Sequence, residues 1–338
     1  MGKRSSGAPT LSDVAALAGV SPATASKALN GRGEVAAATR TRVLDAAEKL
    51  AFQPNALARS LVSGNSSTIG LLTSDSGGRF SIPVLLGAEN ALGDNQISVL
   101  LADARGDVIR ERHYVRTLLA QQVAGLIVVG ESSNRRASIG RDLAVPVVYA
   151  YAESTDPQDL SLLPDDRVGA RMAVEHLHSV GRRKIAHITG PVDYRATRDR
   201  VTGLTEFLQE AGLPLAGREV RYGEWSQRWG RHAAEFVLND DPDVDAIFCG
   251  SDQVAAGVTE TLAARGVRVP DDIALVGFDN WEIFSSETSP PLTTVDMNLQ
   301  RLGATAAQHL FAAIGGEKIT GVQHLPCRLV IRDSSGGR

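Results

Sequence analysis

Apolar residues near the start of the chain recur at Leu11, Val14, Ala15 and Ala18, the i, i+3, i+4, i+7 stripe of a helix with one buried face. The run Gly19-Val20-Ser21-Pro22 then supplies a turn, an N-cap serine and a proline at the first helical position, where its missing N–H costs nothing. This spacing predicts a second short helix running to about Leu29. A third is predicted over 37–50, with Val43, Leu44, Ala47 and Leu50 on one side. Three short helices with a tight first turn make a helix-turn-helix bundle.

Beyond the polar linker at 64–67 the period changes. Apolar runs at 69–72, 98–101, 125–129 and 145–149 alternate with helical stretches at 83–92 and 111–121. The pattern restarts with a helix at 168–180, a strand at 184–189, a helix at 201–211, a strand at 219–222, a helix at 230–238 and strands at 246–249 and 273–277. Such βαβ alternation implies mostly parallel sheets covered on both faces, here two doubly wound units with a ligand cleft between them. The expected fold is an all-α headpiece followed by an α/β core of two doubly wound parallel-sheet subdomains. The expected divisions are a disordered basic arm at 1–10, the helix-turn-helix at 11–54, a hinge and linker at 55–67, a first core subdomain at 68–163 plus 297–320, and a second at 164–292 plus 321–332. A crossover is expected at 293–296 and a disordered tail at 333–338.

Charge sharpens this division. Up to Gly64, eight positive residues face four negative ones, +4, which leaves −8 on the rest of a chain whose net charge is −4. A basic head on an acidic body suits a polyanion approached by the head alone. No apolar run approaches the length of a membrane span, and the basic start at 1–10 has no apolar segment behind it, so a cytoplasmic protein with no membrane partner is expected. Cys249 and Cys327 lie far apart without CxxC spacing and are expected to be buried thiols. An enzyme is disfavoured: no GxGxxG follows the first strand, no GxxxxGK[ST] occurs, and the seven histidines show no metal-ligand spacing. No catalytic residue, metal or cofactor is expected.

Several segments together resemble the LacI/GalR family of bacterial repressors. They are the stretch from Leu11 to Asn30, Thr39-Arg40-Thr41-Arg42-Val43, the run from Leu50 to Leu61, and Ile69-Gly70-Leu71-Leu72. In the core they are Ser251-Asp252-Gln253, Val276-Gly277-Phe278-Asp279 and Pro290-Pro291-Leu292-Thr293-Thr294. The resemblance implies a periplasmic-binding-protein-like type I core and a helix-turn-helix whose second helix enters the major groove. Pro22, Ala23 and Lys27 then correspond to the base-facing positions. Lys27 can donate to guanine O6 and N7, and Ala23 can offer an apolar contact. Thr24, Ser26 and Asn30 suit phosphates, as do Arg40 and Arg59. Ala36 stands where the family usually has a capping Ser or Thr, a loss of about 1 kcal/mol.

By the same resemblance, Asn55, Leu57 and Leu61 belong to a hinge helix that pairs with its copy in a second protomer, Leu61 wedging into the minor groove. A helix this short orders only with DNA and a partner present. A palindromic DNA operator then requires a homodimer.

The implied effector contacts are Phe80, Tyr151, Arg200, Trp225, Ser251, Asp252 and Asp279. Carboxylates and a guanidinium bond vicinal hydroxyls and aromatic faces cover C–H surfaces, a combination that suits a sugar. Asp252 has a competing reading as a helix cap, and Trp225 one as core. Trp281 adds an indole near the cleft mouth, which points to a glycoside or disaccharide. The function expected is a sugar-released repressor of sugar uptake or catabolism genes. A purine or other corepressor, or a sugar-binding transport component, is the alternative.

Overall fold

The computed structural model describes residues 10–29, 35–50, 68–92 and 97–336. The chain forms two compact units, Met1–Ser67 and Thr68–Arg338.

In the first unit, α1 (Leu11–Ala18) opens on a capping box. Thr10 Oγ1 accepts from the Asp13 N–H at 3.3 Å, and the Thr10 N–H donates to the Asp13 carboxylate at 2.8 Å. Thr10, assigned to a disordered arm by the sequence, therefore belongs to the folded headpiece, because its side chain and the Asp13 carboxylate each satisfy a donor at the helix start. Gly19, at φ +67°, closes α1 through its N–H to the carbonyls of Ala15 and Ala16. Helix α2 (Pro22–Leu29) is capped by Ser21, whose Oγ accepts from the Thr24 N–H at 3.1 Å. Helix α3 (Ala37–Lys49) starts at Ala36 with no side-chain cap. Val14, Ala15, Ala25, Ala28, Val43 and Ala46 are buried in the small core. Leu44, expected inside, is exposed, and Ala46 takes its place. The inward stripe is 43, 46, 47, 50, and residue 44 lies about 100° around the helix from Val43.

The second unit holds two six-stranded sheets and a two-stranded pair. Its elements in chain order are β1 (Thr68–Thr73), α4 (Ser81–Leu92), β2 (Ser98–Asp103), α5 (Val108–Ala120), β3 (Leu126–Val129), β4 (Arg135–Arg136), β5 (Val147–Ala150), β6 (Glu153–Ser154), β7 (Leu160–Pro164), α6 (Asp166–Ser179) and β8 (Ile185–Thr189). There follow α7 (Arg195–Glu210), β9 (Arg221–Tyr222), α8 (Gln227–Asp240), β10 (Ala246–Cys249), α9 (Asp252–Ala264), β11 (Ala274–Asp279), α10 (Glu282–Ser285), β12 (Thr293–Asp296), α11 (Leu299–Ile314), β13 (Gly321–Leu325) and β14 (Arg328–Val330). The first sheet runs β13-β7-β5-β3-β1-β2, all parallel. The second runs β14-β12-β11-β10-β8-β9, parallel except for β14. Strands β1, β3, β8 and β10 are almost wholly buried, as parallel strands between two helix layers must be.

The subdomain bounds differ from those expected. Residues 293–296 are a strand of the second sheet rather than a crossover, and 321–325 pair with β7 in the first sheet rather than belonging to the second. Both segments are short and mix apolar with polar residues, so the sequence offers them equally to either sheet, and only pairing partners decide between them. Helix α7 begins six residues before its expected start at Val201. Its buried face includes Thr197 and Arg200, which a count of apolar positions reads as outward. The expected tail is also partly folded. Ser334 and Ser335 are buried, Ser334 Oγ donating to the Leu275 carbonyl at 2.7 Å and Ser335 Oγ lying 2.7 Å from both Thr293 Oγ1 and His176 Nε2. Among the described residues no helix is long and apolar enough to cross a membrane.

Candidate functional site

The first candidate surface is the outer side of α2. Ala25 and Ala28 face the headpiece core, which leaves Pro22, Ala23 and Lys27 exposed and Thr24 and Ser26 half-buried. The capping geometry fixes this rotation, since Ser21 holds both the Thr24 N–H and, at 2.9 Å, the Thr24 hydroxyl. Lys27 has no carboxylate partner among the described residues, and Arg40 on α3, half-buried, makes no ion pair there either. An ammonium free of internal partners is available to an anion or a base edge. Asn30, Asn55, Leu57, Arg59 and Leu61 lie outside the described residues.

The second site is in the core, at the carboxyl ends of the strands, where open α/β sheets place ligands. Arg79 and Phe80 follow β1, Ser132 and Ser133 follow β3, Tyr151 follows β5, Tyr194 follows β8, Trp225 follows β9, Ser251 follows β10, and Asp279 ends β11. All of them line one chamber of about 160 Å³ between the two sheets. Three residues here, Tyr151 (φ +54°), Asp279 (φ +114°) and Asn280 (φ +52°), hold backbone conformations that side chains other than glycine rarely adopt. Such strain persists where the surroundings over-determine the geometry, as at a binding site.

Phe80 and Tyr151 stack with ring centroids 4.2 Å apart, and Trp225 lies edge-on to Tyr194 at 6.1 Å. Phe80 is held from behind: Asp75 accepts from its N–H at 2.7 Å and from the Ser81 N–H at 2.9 Å. Trp225 packs directly on Gly190, where an added Cβ would lie 2.2 Å from the indole. Arg200 is 2% exposed and largely occupied. It donates to Asp166 from Nε at 2.8 Å and to the Gly250 carbonyl at 2.5 Å, with Asp279 Oδ1 3.7 Å away and the Phe278 ring 3.7 Å beneath. Arg200 therefore ties three strand ends together while one edge faces the chamber.

Burial raises the Asp166 carboxyl to about 6, with Arg200 pulling it back. Burial also works against the charge on Arg200, but Asp166 and Asp279 outweigh it and hold the guanidinium above its ordinary value. Asp279 is raised by burial, against the attraction of Arg79 and Arg200, and the Tyr151 phenol is raised by burial.

Asp252, expected in the pocket or as a cap, does neither. Ser251 caps α9, accepting from the Val254 N–H at 3.2 Å, and also lines the chamber. Asp252 is fully buried behind it, accepting from the Thr294 hydroxyl at 2.5 Å and the Trp281 N–H at 2.7 Å, so it positions the 279–281 turn. Gly277 is required there, because a Cβ would meet the Asp252 carboxylate at 2.3 Å.

Sequence reasoning missed Arg79, Ser132, Ser133 and Tyr194. The available signal was position, since Gly77-Gly78 and Gly130 each follow a strand's carboxyl end, but charge and hydroxyl content alone single out none of the four. Ser133 Oγ is buried without a hydrogen-bond partner, a donor and acceptor left for a ligand.

Comparison with known proteins decides the family. A family model described as bacterial regulatory proteins, lacI family, matches residues 10–55, and one described as a periplasmic binding protein-like domain matches 174–335. The chain is 32% identical to the HTH-type transcriptional repressor PurR of Aliivibrio salmonicida (strain LFI1238), over 90% of this chain and 92% of that one. The chain belongs to the LacI family. Two solved structures align over nearly the whole length of this LacI-family regulator. A lac repressor dimer bound to operator and the anti-inducer ONPF has a TM-score of 0.79 at 30% identity, covering 97% of this chain and 99% of that one. A complex of the transcriptional regulator CelR with cellobiose has a TM-score of 0.64 at 31% identity, covering 96% and 99%. The LacI-family relatives matched are DNA-binding transcriptional regulators rather than enzymes, and the helical headpiece with a two-subdomain parallel core is their fold.

Proposed function

We propose that the protein is a cytoplasmic homodimeric repressor that leaves its operator when a small neutral sugar closes on the inner chamber. The observation that carries the effector class is the chamber's composition. The aromatic faces of Phe80, Tyr151 and Trp225 suit the C–H surfaces of a sugar ring. The acceptor Asp279, the donor Arg200 and the unpartnered Ser133 hydroxyl suit its hydroxyls. The charged residues that line the chamber, Glu131 and Asp279 against Arg79 and Arg200, balance, which favours a neutral ligand over an ion. CelR in complex with cellobiose supports the sugar class.

The division of labour follows. Lys27, with Pro22 and Ala23, reads base edges, while Thr24, Ser26, Asn30, Arg40 and Arg59 hold phosphates. Asn55, Leu57 and Leu61 form the paired hinge that bends the DNA. Effector binding shifts the population of core conformations and thereby the pairing of the two hinges. The stacked Phe80–Tyr151 pair favours one second reading, a planar base such as a purine acting as corepressor.

A gel shift with the full chain on its own upstream DNA, with and without a sugar panel, tests the proposal. A specific shift abolished by one sugar is expected. No specific shift under any condition overturns the regulator assignment, and a shift strengthened only by a nucleobase overturns the sugar. Leu61→Ala should weaken operator binding and leave effector affinity within about twofold, since the hinge and the chamber share no residue.

A further inference from the structure

The cleft continues past the chamber just described. A second, outer chamber of about 420 Å³ lies beyond it, lined by Trp281, Asp296, Asn298 and Arg328 among others. The residues common to both are Arg79, Phe80 and Asp279. These three form the wall between the chambers, and Arg79 is the residue that joins the other two. Arg79 starts on the β1–α4 turn of the first subdomain, and its Nη2 donates to Asp279 Oδ2 of the second. Its guanidinium lies 5.0 Å from the Phe80 ring centroid and 4.4 Å from that of Trp281. The Asp279 side chain is 4% exposed and that of Arg79 18%, so the pair is shielded from water. The contact also covers one face of the Trp281 indole, the face a second sugar ring would need.

We infer that Arg79 sets the size of the effector. It confines the ligand to the inner chamber and so to a single ring, and it excludes compounds with a second unit attached. This inference rests on the inner chamber being the effector site. The inner volume lies below the roughly 300–1,000 Å³ usual for small-molecule sites, while the outer one lies within that range. A one-ring ligand fills the first without disturbing the wall. A two-unit ligand must pass the wall, which means separating a shielded ion pair and lifting the guanidinium from two aromatic faces. Arg79 Nε, buried with no hydrogen-bond partner, is left as a donor at the wall itself. The aromatic excess at Trp281, which suggested a disaccharide in the sequence, is thus occupied by the protein's own cation. Replacing Arg79 by a small residue joins the chambers and frees both Trp281 and Asp279 Oδ2.

The test is isothermal titration of the full-length protein and its Arg79→Ala variant against aldopentoses, aldohexoses, their α- and β-linked disaccharides, and adenine and guanine with their nucleosides. The wild type is expected to bind a one-ring compound at least tenfold more tightly than the two-unit compound containing the same ring. In Arg79→Ala that ratio should fall by tenfold or more. Arg79→Ser, a second small replacement in case alanine impairs folding, should shift it the same way. A wild type that binds a two-unit compound as tightly as its ring alone, or a ratio unchanged in both variants, overturns the size assignment while the sugar reading stands. Binding of a nucleobase over its nucleoside, with no sugar bound, overturns the sugar reading and keeps the role of Arg79. Binding of nothing by wild type or variants overturns both.

Discussion

The headpiece and the core put their chemistry in opposite places. In the headpiece the proposed base-reading residues lie on the exposed face of one eight-residue helix, whose cap, Ser21, is its immediate neighbour in sequence. In the core the chemistry lies in a buried chamber to which the ends of seven strands contribute, residues up to 200 positions apart in sequence yet in contact in space. A local surface is robust because neighbouring backbone fixes it. A convergent site depends on every element that carries a piece, so a single substitution there reaches further.

That contrast can be broken by experiment. The largest effect is expected at Asp279, where both carboxylate oxygens face arginines in a site closed to water. Asp279→Ala should lower effector affinity by a hundredfold or more, about 3 kcal/mol, while operator affinity without effector stays within a few fold. Calorimetry and gel shifts on the same preparations check the two halves. An equal loss of both would mean that the core and headpiece do not divide the work.

A buried histidine gives an effect of similar size confined to the core. His187 is fully buried, its Nδ1–H donating to the Phe248 carbonyl at 2.8 Å and its ring stacked on Phe248 at 4.6 Å. Burial pushes its pKa down to about 4. The neutral imidazole therefore contributes stability that is complete above about pH 6.5 and is lost as pH falls through about 4, up to about 3 kcal/mol in all. Asp166, raised to about 6, acts in the opposite sense: its contribution is present at low pH and lost as pH rises through about 6. The difference between wild type and His187→Gln in urea unfolding at pH 7 and pH 4 isolates the imidazole. An identical pH dependence in the two proteins would remove His187 as the source.

Smaller effects belong to the headpiece. Lys27→Ala should cost about 1–3 kcal/mol of operator binding and relax preference at one base pair per half-site, read by binding to a set of single-base operator variants. A uniform loss across all variants would make Lys27 a phosphate contact instead. The smallest change is a gain. Ala36 leaves the start of α3 without a cap, and Ala36→Ser should stabilise the headpiece by about 1 kcal/mol in thermal unfolding, with no change in the core transition.

The same contrast explains what could be read before the fold was known. The three headpiece helices, their caps at Ser21 and Gly19 and the outward position of Lys27 follow from neighbours in sequence, so the chain by itself determined them. The alternation of strands and helices, and hence two parallel sheets, followed from periodicity in the same way. Tertiary structure alone decided which sheet takes 293–296 and 321–325, because a short strand of mixed polarity has no local preference between two similar sheets. It also decided that Asp252 stands behind the chamber while Arg79 stands inside it. Both are charged residues beside a turn, and what separates them is the direction of a side chain relative to a partner some tens to two hundred residues away. Sequence patterns encode burial along one element. The meeting of charges from different elements is fixed only when the sheets pack.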